Sequence, residues 1–127
     1  MQNLSKYQGQ IYVSSTTNRK INAFGHALNT QSYLIDEALM KGYCTLLEIK
    51  NYMKQHPVLD QARRNPKDER ALDEKVISHL RWLAGEDKDQ GFRKRLNNVD
   101  KYSSAEAHAI YNEVTATIRP IFFQVRK

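Results

Sequence analysis

Three segments in a fixed order most constrain what this chain can fold into. Thr45-Leu46-Leu47-Glu48-Ile49 comes first and reads as the start of a short helix. Thr45 and Glu48 have the spacing of a capping box, in which Glu48 reaches back to the Thr45 amide. Lys75-Val76-Ile77-Ser78-His79-Leu80-Arg81-Trp82-Leu83 follows as an amphipathic helix with a polar, partly basic outer face. Gly91-Phe92-Arg93-Lys94-Arg95 comes third, basic and strand-like. Helices followed by a basic strand imply an α+β, helix-rich fold.

The rest of the chain extends this pattern. At 127 residues it is most simply one domain, large enough to bury a core without staples. Residues 10–16 are rich in β-formers and read as an opening strand, with a polar turn at Thr17-Asn18-Arg19-Lys20. The spacing predicts a first helix over residues 32–41, with Leu34, Ile35, Ala38 and Leu39 on one face and Gly42 as its left-handed cap. The second helix carries Leu46, Ile49 and Met53 on its buried stripe and stops at His56-Pro57. Residues 57–65 form a polar connection. Pro66 then suits the first position of a third helix, capped by Asn65 and running to about Ala84. Residues 92–96 read as a strand, Asn97-Asn98 as a turn, and residues 99–102 as the returning strand. Ser103-Ser104-Ala105-Glu106 is a second capping box. It opens a helix that carries Ala107, Ile110, Val114 and Ile118 on one side and is expected to end at Pro120. Residues 121–125 read as a closing strand that pairs with residues 10–16.

Charge bears on the choice of partner. The chain has 20 Lys+Arg against 14 Asp+Glu, net +6. Residues 1–56 carry +3, residues 57–90 carry −1 and residues 91–127 carry +4. Basic ends around a near-neutral middle suit a polyanion, because each phosphate contacted by Lys or Arg releases counterions. The single cysteine, Cys44, excludes an internal disulfide and a thiolate zinc cluster. No stretch has membrane-spanning length, and residues 1–10 have no apolar signal-peptide core, so a cytoplasmic location without membrane contact is expected.

Residues 26–96 resemble the winged helix-turn-helix superfamily of DNA-binding proteins. The resemblance rests on Tyr33-Leu34-Ile35-Asp36-Glu37-Ala38-Leu39 as first helix, Thr45-Leu46-Leu47-Glu48-Ile49 as second and Val76-Ile77-Ser78-His79-Leu80-Arg81-Trp82-Leu83 as recognition helix, with Gly91-Phe92 opening the wing. It implies a helix-turn-helix core over residues 32–84, a wing over 91–102, and a C-terminal helix and strand over 103–126. It also implies non-enzymatic binding of double-stranded DNA, as a transcriptional regulator, without a cofactor or metal. The basic footprint is shared by RNA-binding proteins.

Two departures shift the expected contacts. The connection before the recognition helix is long, and that helix opens on the acidic Asp68-Glu69 and Asp73-Glu74, which repel phosphate. Contact is therefore expected from Lys75, Ser78 and Arg81 further along, with Arg81 able to read a guanine edge. Arg93, Lys94 and Arg95 would hold the backbone and set register. Arg19, Lys20, Arg63 and Arg64 are further candidates for phosphate contact. Trp82, a large aromatic on the polar face, needs a cover: the C-terminal helix, a dimer interface or a stacked base, of which packing is the expectation.

Parts of the sequence also fit two other function classes. Asp36 followed by Glu48-Ile49-Lys50 resembles the Mg²⁺-dependent restriction-endonuclease-like nucleases, in which two carboxylates hold the ion and the Lys assists. That chemistry needs the Glu-x-Lys on a strand, whereas here the apolar spacing is helical. His26, His56, His79 and His108 show no ligand spacing, and His79 borders a buried face as a packed histidine would. There is no Walker lysine, dinucleotide glycine fingerprint or nucleophile elbow. The other class is a protein-interaction adaptor or inhibitor. Its homodimer form would use a shared sheet from Ile11-Tyr12-Val13 and Ile121-Phe122-Phe123.

Overall fold

The computed structural model describes residues 4–56 and 69–126. A 3-10 turn at Leu4–Tyr7 leads into a small antiparallel hairpin, β1 (Tyr12–Val13) and β2 (Lys20–Ile21), with Tyr12 opposite Ile21 and Val13 opposite Lys20. Among the described residues five helices follow: α1 (Gln31–Met40), α2 (Leu46–Gln55), α3 (Glu69–Leu83), α4 (Gly91–Leu96) and α5 (Ser104–Val125). The molecule is thus helix-rich with one two-stranded sheet, a coarse α+β arrangement. Among the described residues no helix is long and apolar enough to cross a membrane.

Helix α1 is the centre of the fold. Thr30 caps its start by accepting the Tyr33 amide, and Gly42, at φ 96°, follows its end in the left-handed conformation that glycine adopts without strain. Residues from Leu34 through Met40 are all buried, the polar Asp36 and Glu37 among them. A helix covered on every side has no solvent face to hold its charged residues, so they must find partners inside. Helix α2 begins with the expected capping box, Thr45 and Glu48 each accepting from the other's amide. Lys50 of α2 reaches Asp73 of α3 at 2.7 Å. Helix α3 packs Val76, Leu80 and Leu83 into the core against α5, whose Val114, Ile118 and Phe122 are buried. The expected start of α3 at Pro66, the connection over 57–65, and Arg63, Arg64 and Asp68 lie outside the described residues.

Two expected strands are helices. Residues 92–96, expected as the wing, form α4. Helical spacing puts Phe92 and Leu96 on one face, 1% and 0% exposed, and leaves Arg93, Lys94 and Arg95 outside. A strand would have faced Lys94 inward together with Phe92 and Leu96. The Asp87 carboxylate accepts the Gly91 amide at the start of this helix. Residues 91–102 therefore form no wing hairpin. Instead Val99 bridges to Ser14, the Ser15 amide donates to the Asn98 carbonyl and the Asp100 amide to the Val13 carbonyl, which pins the N-terminal hairpin to the loop after α4.

Residues 121–125, expected as a closing strand, complete α5, which runs through Pro120. Proline inside a helix costs about 3 kcal/mol. Phe122, one turn beyond Ile118 on the same buried face, recovers a comparable amount, since burying such a side chain contributes about 1.5–3 kcal/mol. Strand β1 accordingly pairs with β2 and not with the C-terminus, and a dimer sheet using Ile121-Phe122-Phe123 has no strand there to build on.

Candidate functional site

The site begins with the loop between β2 and α1. Asn22 folds it: its side-chain oxygen accepts the Phe24 amide at 3.1 Å and the His26 amide at 2.9 Å. The Gly25 amide closes the turn onto the Asn22 carbonyl, and Gly25 stands at φ 90°. A β-carbon at Gly25 would lie 2.5 Å from the Arg95 Cγ, so the bare backbone here lets the Arg95 stem pass.

Behind this loop is a buried polar network that ties three elements together. The Asp36 carboxylate, 0% exposed, takes Asn22 Nδ2 at 2.8 Å and His26 Nδ1 at 2.5 Å on one oxygen, and His79 Nε2 at 2.6 Å on the other. Burial would push this carboxyl up, but the two imidazoles beside it outweigh burial and hold it well below the usual carboxylate range. An ionised carboxylate only accepts, so the contacts assign the proton to Nδ1 in His26 and to Nε2 in His79. Burial drives His79 toward its neutral form more strongly than Asp36 opposes it. The Trp82 ring covers the pair, 4.9 Å from the His26 centroid and 5.9 Å from His79, and also meets Phe92 at 5.1 Å. Trp82 is thus covered by packing, as expected, and its partners are the β2–α1 loop and α4.

In front of the loop lies a cavity of about 110 Å³. Arg19 enters it from the hairpin turn and Arg95 from α4, with Ser14, Thr16, Thr17 and Asn98 supplying hydroxyl and amide groups. No carboxylate among the described residues lines it. Among the described residues neither guanidinium is paired with an acid. The Arg95 Nη1 donates to the Gly25 carbonyl at 3.3 Å, and its guanidinium lies 5.9 Å from the Trp82 ring centroid. One continuous set of contacts therefore runs from Asp36 through His26 and Trp82 to Arg95. Two arginines beside hydroxyls, one of them held by the Gly25 carbonyl and the Trp82 ring, suit a phosphate or another oxyanion.

The remaining candidates divide clearly. Lys20, in β2, and Arg93 and Lys94, in α4, are exposed. Lys75 is half-buried and donates to the Ser32 hydroxyl at 3.2 Å, a tie between α3 and α1. Ser78 and Arg81 lie on an exposed stripe of α3 with Ala71 and Glu74, and Arg81 stands 5.8 Å from the Phe122 ring centroid of α5. The nuclease trio takes separate partners: Asp36 is enclosed by histidines, Glu48 caps α2 and Lys50 pairs with Asp73.

The His26–Asp36–His79 network is invisible as a motif because its members come from a loop and two helices. One signal was present: a carboxylate within the apolar run Leu34-Ile35-Asp36-Glu37-Ala38-Leu39-Met40, and a histidine on the edge of another buried stripe. Comparisons with known proteins returned no matching family model, no curated relative and no solved structure of significant similarity.

Proposed function

We propose that this chain binds double-stranded DNA without performing chemistry, as a regulator would. In this reading Arg19 and Arg95 hold the phosphate backbone, flanked by Lys20, Arg93 and Lys94. The observation that carries it is the convergence of Arg19 and Arg95 on one cavity that hydroxyls line and that no carboxylate of the described residues enters. Such contacts supply affinity and register. Discrimination between sequences falls to Ser78 and Arg81 on α3. Glu74 on the same stripe weakens phosphate contact there, so the cavity and α4 are the principal grip.

The test is fluorescence anisotropy of a labelled random duplex at several salt concentrations. The reading expects micromolar binding that weakens steeply with salt, and a slope reduced by about 0.9 for each phosphate contact removed in Arg19→Ala or Arg95→Ala. A flat titration at low salt would sink it, and preferential binding of a structured RNA would change the partner while keeping the site.

A second reading, a protein-interaction module, is favoured by the mixed charge of the α3 stripe, where Glu74 and Arg81 alternate with small residues. It expects Arg81→Glu to abolish a protein complex and leave duplex affinity unchanged.

A further inference from the structure

We propose that His26, Asp36 and His79 together hold one divalent cation of the zinc class. One donor atom from each of the three lies within 4.8 Å of the others, and the nitrogens that meet the Asp36 carboxylate are His26 Nδ1 and His79 Nε2. This is the one group of three or more His, Cys, Asp or Glu donors found among the described residues. The three come from the β2–α1 loop, α1 and α3, so an ion there would cross-link the centre of the fold.

The donor chemistry selects the ion. Two imidazoles and a carboxylate suit zinc and its neighbours in the first transition row, while calcium and magnesium prefer oxygen alone. The surroundings are those of a supported site. Asn22 holds an Asp36 oxygen with its amide and fixes the His26 backbone with its carbonyl, so one side chain orients two of the three ligands.

The change on loading is small and balanced. The separations of 2.5 and 2.6 Å are hydrogen bonds. Metal bonds of about 2.0–2.1 Å at tetrahedral angles place neighbouring donors about 3.3 Å apart. Each contact must open by less than about 1 Å, within the reach of side-chain torsions. Each histidine ligates as a neutral ring, so the ion takes the place of the proton on His26 Nδ1 and on His79 Nε2, and each ring then carries its one proton on the other nitrogen, Nε2 of His26 and Nδ1 of His79. Water completes the fourth position.

The experiment uses the full chain, freed of metal by chelator and dialysis, then titrated with Zn²⁺ and observed through its imidazole nitrogens by long-range ¹H–¹⁵N correlation. The expected result is that one equivalent of zinc shifts His26 Nδ1 and His79 Nε2 and raises the melting temperature. Co²⁺ in place of zinc should give the visible absorption of a four-coordinate site. His56→Gln and His108→Gln should retain the response, and His26→Gln should lose it. Zinc that moves only the exposed His56 and His108, or no imidazole at all, would overturn the proposal and leave the trio a hydrogen-bonded clamp. The wild-type spectrum decides this even where a variant fails to fold.

Discussion

Asp36→Ala, made and measured in chelator, probes the network on which the site rests. The substitution deletes the common acceptor of three buried donors: Asn22 Nδ2 at 2.8 Å, His26 Nδ1 at 2.5 Å and His79 Nε2 at 2.6 Å. Each buried donor left without a partner costs about 1–3 kcal/mol. The three losses share one network and do not simply add. Part of the roughly 3–9 kcal/mol that three separate losses would cost is therefore shared, which sets the expected destabilisation at about 4 kcal/mol. That is a large part of the roughly 5–15 kcal/mol that holds a domain together. Asp36→Asn should be far milder. Its oxygen can still accept from Asn22 and His26, and its amide can face His79, whose neutral ring takes the other tautomer and accepts. Only the charge assistance is lost, about 1–2 kcal/mol. Urea unfolding followed by the single tryptophan, Trp82, reads both variants, with an unchanged slope confirming a change in stability. The reasoning fails if Asp36→Ala lies within about 1 kcal/mol of the wild type, or if Asn is as damaging as Ala.

Gly25→Ala should affect both stability and binding: a β-carbon at φ 90° is strained by about 1–2 kcal/mol, and it displaces the Arg95 stem from 2.5 Å. A melting temperature several degrees lower, with duplex affinity falling to that of Arg95→Ala, is the expected pair of results, and intact affinity would show that Arg95 does not depend on this turn. Glu113 gives a pH prediction. Burial opposes its ionisation, but hydrogen bonds from Lys6 and Tyr7 win and hold its carboxyl below the usual range. A carboxyl lowered in the folded state stabilises above its unfolded pKa of about 4.3 and loses that contribution as pH falls through the folded value. The melting-temperature gap between the wild type and Glu113→Gln should therefore narrow as pH drops from about 6 to 3, and a gap that widens in acid would contradict it.

What could be read from the sequence was local. The capping boxes at Thr45–Glu48 and Ser103–Glu106 both form, and Gly42 ends α1 in the left-handed conformation, because these signals need only neighbouring residues. The triplet Arg93-Lys94-Arg95 misled because strand and helix both expose it. What decides is that Phe92 and Leu96 must share the core, and that depends on Trp82 and Tyr111, both packed against Phe92. Pro120 misled for the same reason: a local cost was outweighed by burial of Phe122. The candidate site was half legible. Its cations were identified singly, but the meeting of Arg19 with Arg95 needs the hairpin pinned to residues 98–100. The buried network needs the Asn22 turn, whose conformation no periodicity reveals.

The most direct test of the proposed interface is a backbone ¹H–¹⁵N titration of the wild-type chain with an unlabelled random duplex at low salt. The account predicts shifts that begin at Arg19, Lys20 and Gly25 and at residues 93–98, ahead of Ala71, Glu74, Ser78 and Arg81 on α3. Shifts confined to the α3 stripe, or none at any duplex concentration, would contradict it.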